Sequence, residues 1–337
     1  LIQCPEQSPL EQSSPSNQQK ILIMKLHKIY IAALTLGIGV LATSCSGDFL
    51  DLTPKSNMNE EDFYKTAEDF STARVSAYAT LYNEYAPENG LSFTEMMTDE
   101  CTAYEGKVFL ERTTGSNTDV IPFVNYNLEP SNTIVKHTWQ TAYSDLNVIN
   151  KALDKLTAST DFASTPTGLQ YQAELRFLRA LYHFNMVRLF GPIPIVDHSL
   201  TVSESYGVLR SPEEDVYKFI IDDLNFAIQN LPLRSAATQD GQITKGAAET
   251  CLGEVYLTRG DKAKAASVLK DVINSGQYQL EPNYADLWNL NNKNCKESIL
   301  EIQYVAAAGQ PASPYLEEWA PFENFSITAQ GHGLSQV

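Results

Sequence analysis

The sequence is poor in basic residues and in cysteine, and it has no apolar run long enough to span a bilayer as a helix. It contains 24 Lys and Arg residues against 41 Asp and Glu residues, a net charge of −17, which disfavours the phosphate backbone of nucleic acids. The five cysteines include no CxxC pair, so neither a disulfide framework nor a metal site is indicated. GxSxG, HExxH and P-loop motifs are also missing, and we therefore predict that the protein is not an enzyme.

The first 45 residues carry an export signal. Lys25 and Lys28 precede an uncharged apolar stretch at residues 29–42, and small residues then lead to Cys45. We interpret residues 24–44 as a cleaved signal peptide and residues 1–23 as an upstream, disordered extension.

Residues 41–45, Leu-Ala-Thr-Ser-Cys, resemble a bacterial lipobox, in which the cysteine thiol receives diacylglycerol and becomes the new N-terminus. A thiol is the nucleophile that this attachment requires, and each buried CH₂ of an acyl chain contributes about 0.8 kcal/mol to membrane binding. Cys45 is therefore the predicted lipid attachment site, and apart from its diacylglycerol and acyl chain no cofactor is predicted. The alternative is an ordinary secretory peptide in which this cysteine has no such role.

Between residues 59 and 276 the apolar side chains recur with the period of an α-helix almost throughout. This pattern predicts a mainly α fold, with helices over residues 59–85, 139–156, 172–190 and 212–231. Thr66 and Asp69 offer a capping box for the first of these helices, and Ser211 followed by Pro212 predicts the start of the last.

A repeat signature follows at residues 252–269. Its small, aromatic and aliphatic residues have the offsets of a tetratricopeptide helix–turn–helix, in the order Leu252, Gly253, Tyr256, Gly260, Ala265 and Leu269. The small residues let two helices approach closely. Because one such unit cannot bury its own apolar face, we predict tetratricopeptide-like helical repeats in which the preceding helices stack on this pair.

Two regions lack the helical period. Residues 105–130 are rich in Thr, Asn and Gly and are predicted to form long loops. Residues 298–304 alternate apolar and polar side chains, which predicts a short strand. The sequence after residue 306 has no regular pattern, so the C-terminal part is predicted to be rich in loops.

Four reactive or charged side chains on the predicted helices are interpreted as structural. Cys251 lies on an apolar face and is predicted to be a small buried hydrophobe. His183 lies between two aromatic residues and is predicted to be a packed side chain and not a ligand. Arg176 and Arg179 suggest an anion site, but their position between apolar stripes favours ion pairs with acids of a neighbouring helix.

Several segments, taken in order, resemble the SusD/RagB family of nutrient-binding lipoproteins of the Bacteroidetes. The matches run over roughly 260 residues, and the stretch from Ala173 to Phe184 is the most specific of them. Each match is weak alone, and the significance lies in their common order. The other matching segments begin at Cys45, Thr98, Trp139, Phe190, Arg210, Asp222, Leu231 and Gly241.

The resemblance implies a lipoprotein on the outer face of the cell outer membrane. Such a protein binds oligosaccharides or other nutrients and delivers them to a SusC-like, TonB-dependent β-barrel transporter. Asp48 and Asp51 are similar to the acidic export signal of these lipoproteins. Because family members are longer, residues 45–276 are expected to form the helical-repeat region, and residues 277–337 the start of a loop-rich C-terminal region that is truncated here.

Sugar binding requires flat aromatic faces together with amide or hydroxyl groups. In the family the ligand contacts come from loops, so the resemblance and the loop aromatics together predict Tyr104, Phe109, Tyr315, Trp319 and Phe322 as candidates. Trp319 is the strongest candidate for a ligand platform because its surroundings show no apolar period. The alternative is that each of these rings packs its loop against the body of the protein.

Two other functions stay open. A lipid-anchored helical-repeat adaptor with only a protein partner is supported by the repeat signature at residues 252–269 and by the acidic surface. An exported hydrolase is less favoured, since no spacing among the abundant carboxylates identifies a general acid.

Overall fold

The computed structural model describes residues 63–85, 97, 119, 121–124 and 126–304. These residues are mainly helical, as the sequence predicts. Within them there is no β-strand, and an isolated bridge pairs Ile193 with Ser211. No helix in these ranges combines the length and the apolar character needed to cross a membrane.

The helices vary from four to 26 residues in length. In chain order they are α1 (Ala67–Glu84), α2 (Ile121–Val124), α3 (Thr133–Ala158), α4 (Pro166–Phe190), α5 (Val202–Ser205), α6 (Glu213–Asn230), α7 (Lys245–Thr258) and α8 (Lys262–Asn274). Short 3₁₀ helices lie at Arg234–Ala236, Tyr284–Trp288 and Leu290–Asn292.

Side-chain caps set the starts of the first long helices. Thr66 Oγ1 accepts the Asp69 N–H, and Asp69 Oδ2 accepts the Thr66 N–H, which confirms the predicted capping box of α1. Asn132 caps α3 and Thr165 caps α4. Both helices therefore begin one to two turns before the predicted positions, because the apolar period that served for prediction starts only after these first turns.

Three local predictions are wrong. Helix α6 begins at Glu213 with Pro212 as its N-cap, and Ser211 makes no cap because its N–H donates to the Ile193 carbonyl instead. Residues 298–304 are irregular, since no strand of the described residues lies beside them to pair with. The region predicted to be long loops contains the short helix α2 among its described residues.

Helix α4 is the centre of the fold. It packs against α1, α3 and α6 and also contacts α7. Side chains on all sides of α4 are buried, among them Leu178, Tyr182 and Phe184. Burying one large apolar side chain contributes about 1.5–3 kcal/mol, so this packing is the main source of stability in the helical body.

The pair α7–α8 confirms the predicted helix–turn–helix. A Cβ added to Gly253 would lie 2.6 Å from Leu269 Cδ2, so the glycine permits the close approach of the two helices. Gly260 forms the turn with a φ of +79°, and Ala265 is buried. Helix α7 packs on α6, and α6 packs on α4, so the helices stack in tetratricopeptide-like succession.

The segment after α8 has a different character. It follows an irregular path over residues 277–304, apart from the two short 3₁₀ helices. None of residues 277–289 and 291–304 is buried. The segment therefore adds no core of its own and lies on the helical body.

Candidate functional site

Two adjoining clefts lie where the loop before α7 meets the segment after α8. The larger cleft has a volume of about 350 Å³ and the smaller one about 200 Å³. Both are lined by residues 239–242, Leu300 and Glu301, which form their common boundary. The larger cleft falls in the range of about 300–1,000 Å³ that is typical of ligand sites.

The larger cleft is mainly polar. Its polar lining consists of Arg234, Thr238, Gln239, Asp240, Gln242, Thr244, Asn294, Ser298 and Glu301. Amide and hydroxyl groups, which both donate and accept hydrogen bonds, outnumber the charged groups in this set. Such a lining suits an uncharged ligand with many hydroxyl groups.

The smaller cleft has one wall made by helix α1. Its apolar lining consists of Val75, Ala79, Leu81, Leu300 and Ile302. The Tyr82 hydroxyl donates to the Gln303 carbonyl at 2.5 Å, and the Tyr82 ring contacts the Tyr304 ring with 5.2 Å between the centroids. These contacts hold the end of the described segment against α1.

A buried carboxylate on α4 fixes the inner walls of the clefts. Glu174 is fully buried and accepts hydrogen bonds from four side chains. The donors are Arg74 Nη1 at 2.7 Å, Tyr78 Oη at 2.8 Å, Gln170 Nε2 at 2.9 Å and Gln242 Nε2 at 3.0 Å. Three of these donors, Arg74, Tyr78 and Gln242, also line the clefts. The carboxylate therefore holds in place three of the side chains that line the clefts.

Tyr78 connects this carboxylate to the backbone of the loop before α7. Its hydroxyl donates to Glu174 and accepts the N–H of Ile243 at 3.0 Å. Burial, reinforced by the neighbouring carboxylate of Glu174, raises the pKa of Tyr78 well above its usual value. The hydroxyl therefore keeps its proton and stays a donor at physiological pH.

Gly241 allows the loop before α7 to lie close to the segment after α8. Its φ is +73°, a conformation that other residues rarely adopt. A Cβ added here would lie 2.5 Å from Gln303 Cγ and 3.2 Å from the Glu301 carbonyl oxygen. Both the backbone conformation and the close approach therefore require glycine.

Arg234 holds the outer wall of the larger cleft. Its guanidinium donates to the carbonyl oxygens of Asn294 and Cys295, both at 2.7 Å, and to that of Ser298. The side-chain amides of Asn294 and Gln303 form two further hydrogen bonds with each other, at 2.9 and 3.0 Å. Side chains thus hold residues 294–303, and within the predicted strand they satisfy the carbonyl of Ser298.

A second buried network lies on α4 away from the clefts and confirms the prediction for the two arginines. Arg179 makes a bidentate ion pair with Asp223 of α6, at 2.7 and 2.9 Å, and Arg176 lies 3.7 Å from the same carboxylate. Arg179 also donates to the Asp197 carbonyl at 2.6 Å, while Asn150 donates to the Val196 carbonyl at 2.9 Å. These contacts fix the loop after α4.

His183 is a packed side chain, as predicted. Its Nδ1 lies 2.8 Å from the Arg179 carbonyl oxygen, and its Nε2 lies 3.3 Å from the Val196 nitrogen. Burial lowers the pKa of His183 to about 4. The ring is therefore neutral at physiological pH, with Nδ1 donating and Nε2 accepting.

Two further buried groups can ionise. Cys251 is buried, which confirms its prediction as a small hydrophobe, and burial raises the pKa of its thiol to about 12. Glu84 accepts one hydrogen bond, from Asn185 Nδ2 at 3.2 Å, while its Oε2 has no partner among the described residues. Burial raises the pKa of Glu84 to about 7, and the neighbouring carboxyl of Asp145 adds to the effect.

The predicted lipid and ligand residues lie outside the described residues. They are Cys45, Tyr104, Phe109, Tyr315, Trp319 and Phe322. Their roles stay predictions. Within the described part of the chain, no group of three or more His, Cys, Asp and Glu side chains could hold a metal ion.

Sequence reasoning missed Glu174 and Gln242 as organisers of the clefts. In the sequence, Glu174 is an acid within an apolar helix, and it lies in the stretch that matches the family most specifically. A buried acid requires hydrogen-bond or ion-pair partners, so its position among apolar residues is the signal that could have identified it. The identity of its donors could not be derived, because they come from distant parts of the chain.

Residues 48–257 match a family model, SusD-like_3, that is described as starch-binding and associating with the outer membrane. The SusD-like protein P2 of Formosa agariphila is 30% identical over 289 residues, which cover 84% of this chain and 54% of that protein. The starch-binding protein SusD of Bacteroides thetaiotaomicron is 28% identical over 303 residues, covering 82% of this chain and 50% of that protein.

Solved structures show the same similarity. A laminarin-binding SusD-like protein superposes with a TM-score of 0.64 at 30% identity, covering 73% of this chain and 53% of that chain. The chain thus spans about half the length of the relatives that it matches. The family description and the names of these relatives describe binding proteins and no enzyme, which agrees with the prediction of binding without turnover.

Proposed function

The chain belongs to the SusD-like family, and on this premise we propose that it binds oligosaccharides at the cell surface and delivers them to a TonB-dependent outer-membrane transporter. The family is one of carbohydrate-binding proteins associated with the outer membrane. The observation that carries the proposal is the family match over residues 48–257, which includes α1 and the loop before α7, two of the three parts of the chain that line the clefts.

The chemistry of the larger cleft supports this proposal. Its lining is rich in amide and hydroxyl groups, and a sugar offers hydroxyl groups that pair with both. The smaller cleft adds apolar side chains and the ring of Tyr82, against which the C–H face of a sugar packs. The buried Glu174 network holds several of these groups in place before the ligand arrives, which reduces the entropy lost on binding.

Binding to polysaccharides tests the first part of the proposal. Affinity electrophoresis against laminarin, soluble starch and xyloglucan is expected to retard the protein with at least one of them, and calorimetry then gives the affinity. Gln239→Ala, in the clefts, is expected to weaken that binding, while Gln229→Ala on the exposed side of α6 is the matched control. Absence of binding to a broad glycan panel would contradict the proposed function.

Membrane attachment and delivery belong to the same proposal. Cys45 is proposed to carry diacylglycerol and an acyl chain and to hold the protein on the exterior face of the outer membrane. Mass spectrometry of the mature N-terminus checks this, and Cys45→Ser is expected to release the protein from the membrane fraction. Co-purification from solubilised outer membranes tests the SusC-like partner. A Cys45 without lipid would contradict the proposed anchor, and a preparation without the β-barrel would contradict the proposed delivery.

The alternative of an adaptor with only a protein partner is less well supported. Its sequence signal is the helix–turn–helix α7–α8. This signal does not separate an adaptor from a glycan-binding protein, because relatives of this chain are named for binding starch and laminarin. If no glycan bound while substitutions on α7–α8 abolished function, the adaptor would be the better explanation.

A further inference from the structure

The 3₁₀ helix Tyr284–Trp288, after α8, displays two aromatic rings to solvent. Trp288 is 70% exposed and Tyr284 is 71% exposed. The other described tryptophan, Trp139, is half-buried and packs against Tyr143 and Phe190 with centroid distances of 4.9 and 5.1 Å. An indole that is left in water is unusual, because tryptophan is among the side chains that gain most from burial.

The two rings are held in a defined arrangement. Their centroids are 6.1 Å apart and their planes meet at 68°, so the edge of one ring faces the other. Asn283 Oδ1 accepts the Ala285 N–H at 3.3 Å, and Asn292 Nδ2 donates to the Asp286 carbonyl at 3.1 Å. These bonds stabilise the turn that carries both rings.

The polar groups around the rings are amides. Asn289 accepts the Asn291 N–H at 3.0 Å through Oδ1, and within the described residues its Nδ2 makes no hydrogen bond. Asn283, Asn289 and Asn291 are all exposed, and between residues 282 and 292 the only charged side chain is that of Asp286. Flat rings flanked by free amide donors, with little charge, match a ligand that has C–H faces and hydroxyl groups.

We propose that Trp288 and Tyr284 form a second carbohydrate contact, which stacks on a neutral polysaccharide and consists of residues other than those lining the two clefts. This proposal rests on the proposed function. It names the ligand class by its chemistry, because ring stacking and amide hydrogen bonds need no charge on the sugar.

The test compares Trp288→Ala, Tyr284→Ala and the control Tyr206→Ala, whose ring is 86% exposed on the loop between α4 and α6. The probes are laminarin, soluble starch and xyloglucan, measured by calorimetry with the full chain. For the polysaccharide that the wild type binds, Trp288→Ala is expected to weaken the affinity about tenfold and Tyr284→Ala about threefold, in line with the gain of about 0.5–1.5 kcal/mol from a geometrically specific contact with an aromatic ring. Trp288→Phe is expected to recover most of the loss, and Tyr206→Ala to change the affinity less than twofold.

The outcomes separate this proposal from the proposed function. If the wild type binds and Trp288→Ala binds equally well, the second contact is refuted while glycan binding stands. If Trp288→Ala instead changes the oligomeric state in sedimentation equilibrium, the ring is a protein contact and the proposal is overturned. If the wild type binds no glycan, both fail together. The urea midpoint of Trp288→Ala should equal that of the wild type, because an exposed ring adds little to stability.

Discussion

The helical body and the segment after it are stabilised in different ways. In the body, residues 67–274, α4 is surrounded by other helices and buries both apolar side chains and ionised groups. In the segment, residues 277–304, no side chain with a described burial is buried, and hydrogen bonds to backbone carbonyls hold the path. Full burial of side chains makes the body rigid, whereas the segment is held by polar contacts and by half-buried side chains such as Ile299, Leu300 and Ile302, which pack against the body.

The largest effect is expected from breaking the buried network of the body. Glu174→Ala leaves Arg74 buried without its ion-pair partner, and loss of one partner of a buried pair costs about 3–5 kcal/mol. Urea unfolding measures this loss. Glu254→Ala, which breaks the exposed pair with Arg188, is the control and should cost about 0–1 kcal/mol. Equal costs for the two variants would contradict the assigned importance of burial.

The second effect concerns pH and the carboxyl of Glu84. Its pKa is about 7 in the folded protein and 4.5 in the unfolded chain, so the folded state keeps a proton that the unfolded state has lost. The stabilisation is complete below pH 4.5 and is lost as the pH rises through 7, a change of about 3 kcal/mol. His183 acts in the opposite direction, because its pKa is lowered to about 4 and its contribution is lost as the pH falls below 6.5.

The difference between the wild type and Glu84→Gln therefore isolates Glu84. Relative to the wild type, Glu84→Gln should become more stable as the pH rises from 5 to 8, measured by urea unfolding at each pH. Glu254→Gln, at an exposed position, should follow the wild type throughout. A constant difference for Glu84→Gln would show that this carboxyl does not hold its proton.

A smaller effect is expected where the body and the segment meet. Gly241→Ala combines a strained backbone with a Cβ close to Gln303, and should cost about 2–3 kcal/mol. Gly260→Ala has the same kind of backbone, with a φ of +79°, but nothing lies within 4 Å of the added Cβ. It should cost only about 1–2 kcal/mol. The difference between the losses of stability of the two variants, measured by urea unfolding, reports the contact between this loop and the segment. Equal losses would mean that the segment does not rest on the loop.

The smallest effect on global stability is expected within the segment itself. Arg234→Ala removes the donor to three carbonyls and should speed amide hydrogen exchange at residues 294–298 at least tenfold. Because the segment has no core, the free energy of global unfolding should change by less than about 0.5 kcal/mol. Lys218→Ala, an exposed change on α6, should alter neither quantity. A large loss in the free energy of global unfolding of Arg234→Ala would contradict the view that the body and the segment are stabilised in different ways.

The same distinction explains what could be predicted from sequence. The apolar period and the capping pattern of Thr66 and Asp69 are local, and they predict the helices and the start of α1. The alternation at residues 298–304 is equally clear and predicts a strand, yet alternation is not sufficient when no strand of the described residues lies beside it. The clefts could not be predicted, because α1, the loop before α7 and the segment after α8 meet only in the folded chain.

The four hydrogen bonds to Glu174 also have a consequence for the order of folding. Their donors at Arg74, Tyr78 and Gln242 are separated from it by 100, 96 and 68 residues along the chain. Contacts between such distant positions form late, because a large loop must close before they yield any energy. The carboxylate is therefore satisfied only when α1 and the loop before α7 have both docked on α4. An early helical intermediate would hold this acid with only its local partner, Gln170 on the same helix, and the assembly of the clefts supplies the other three donors.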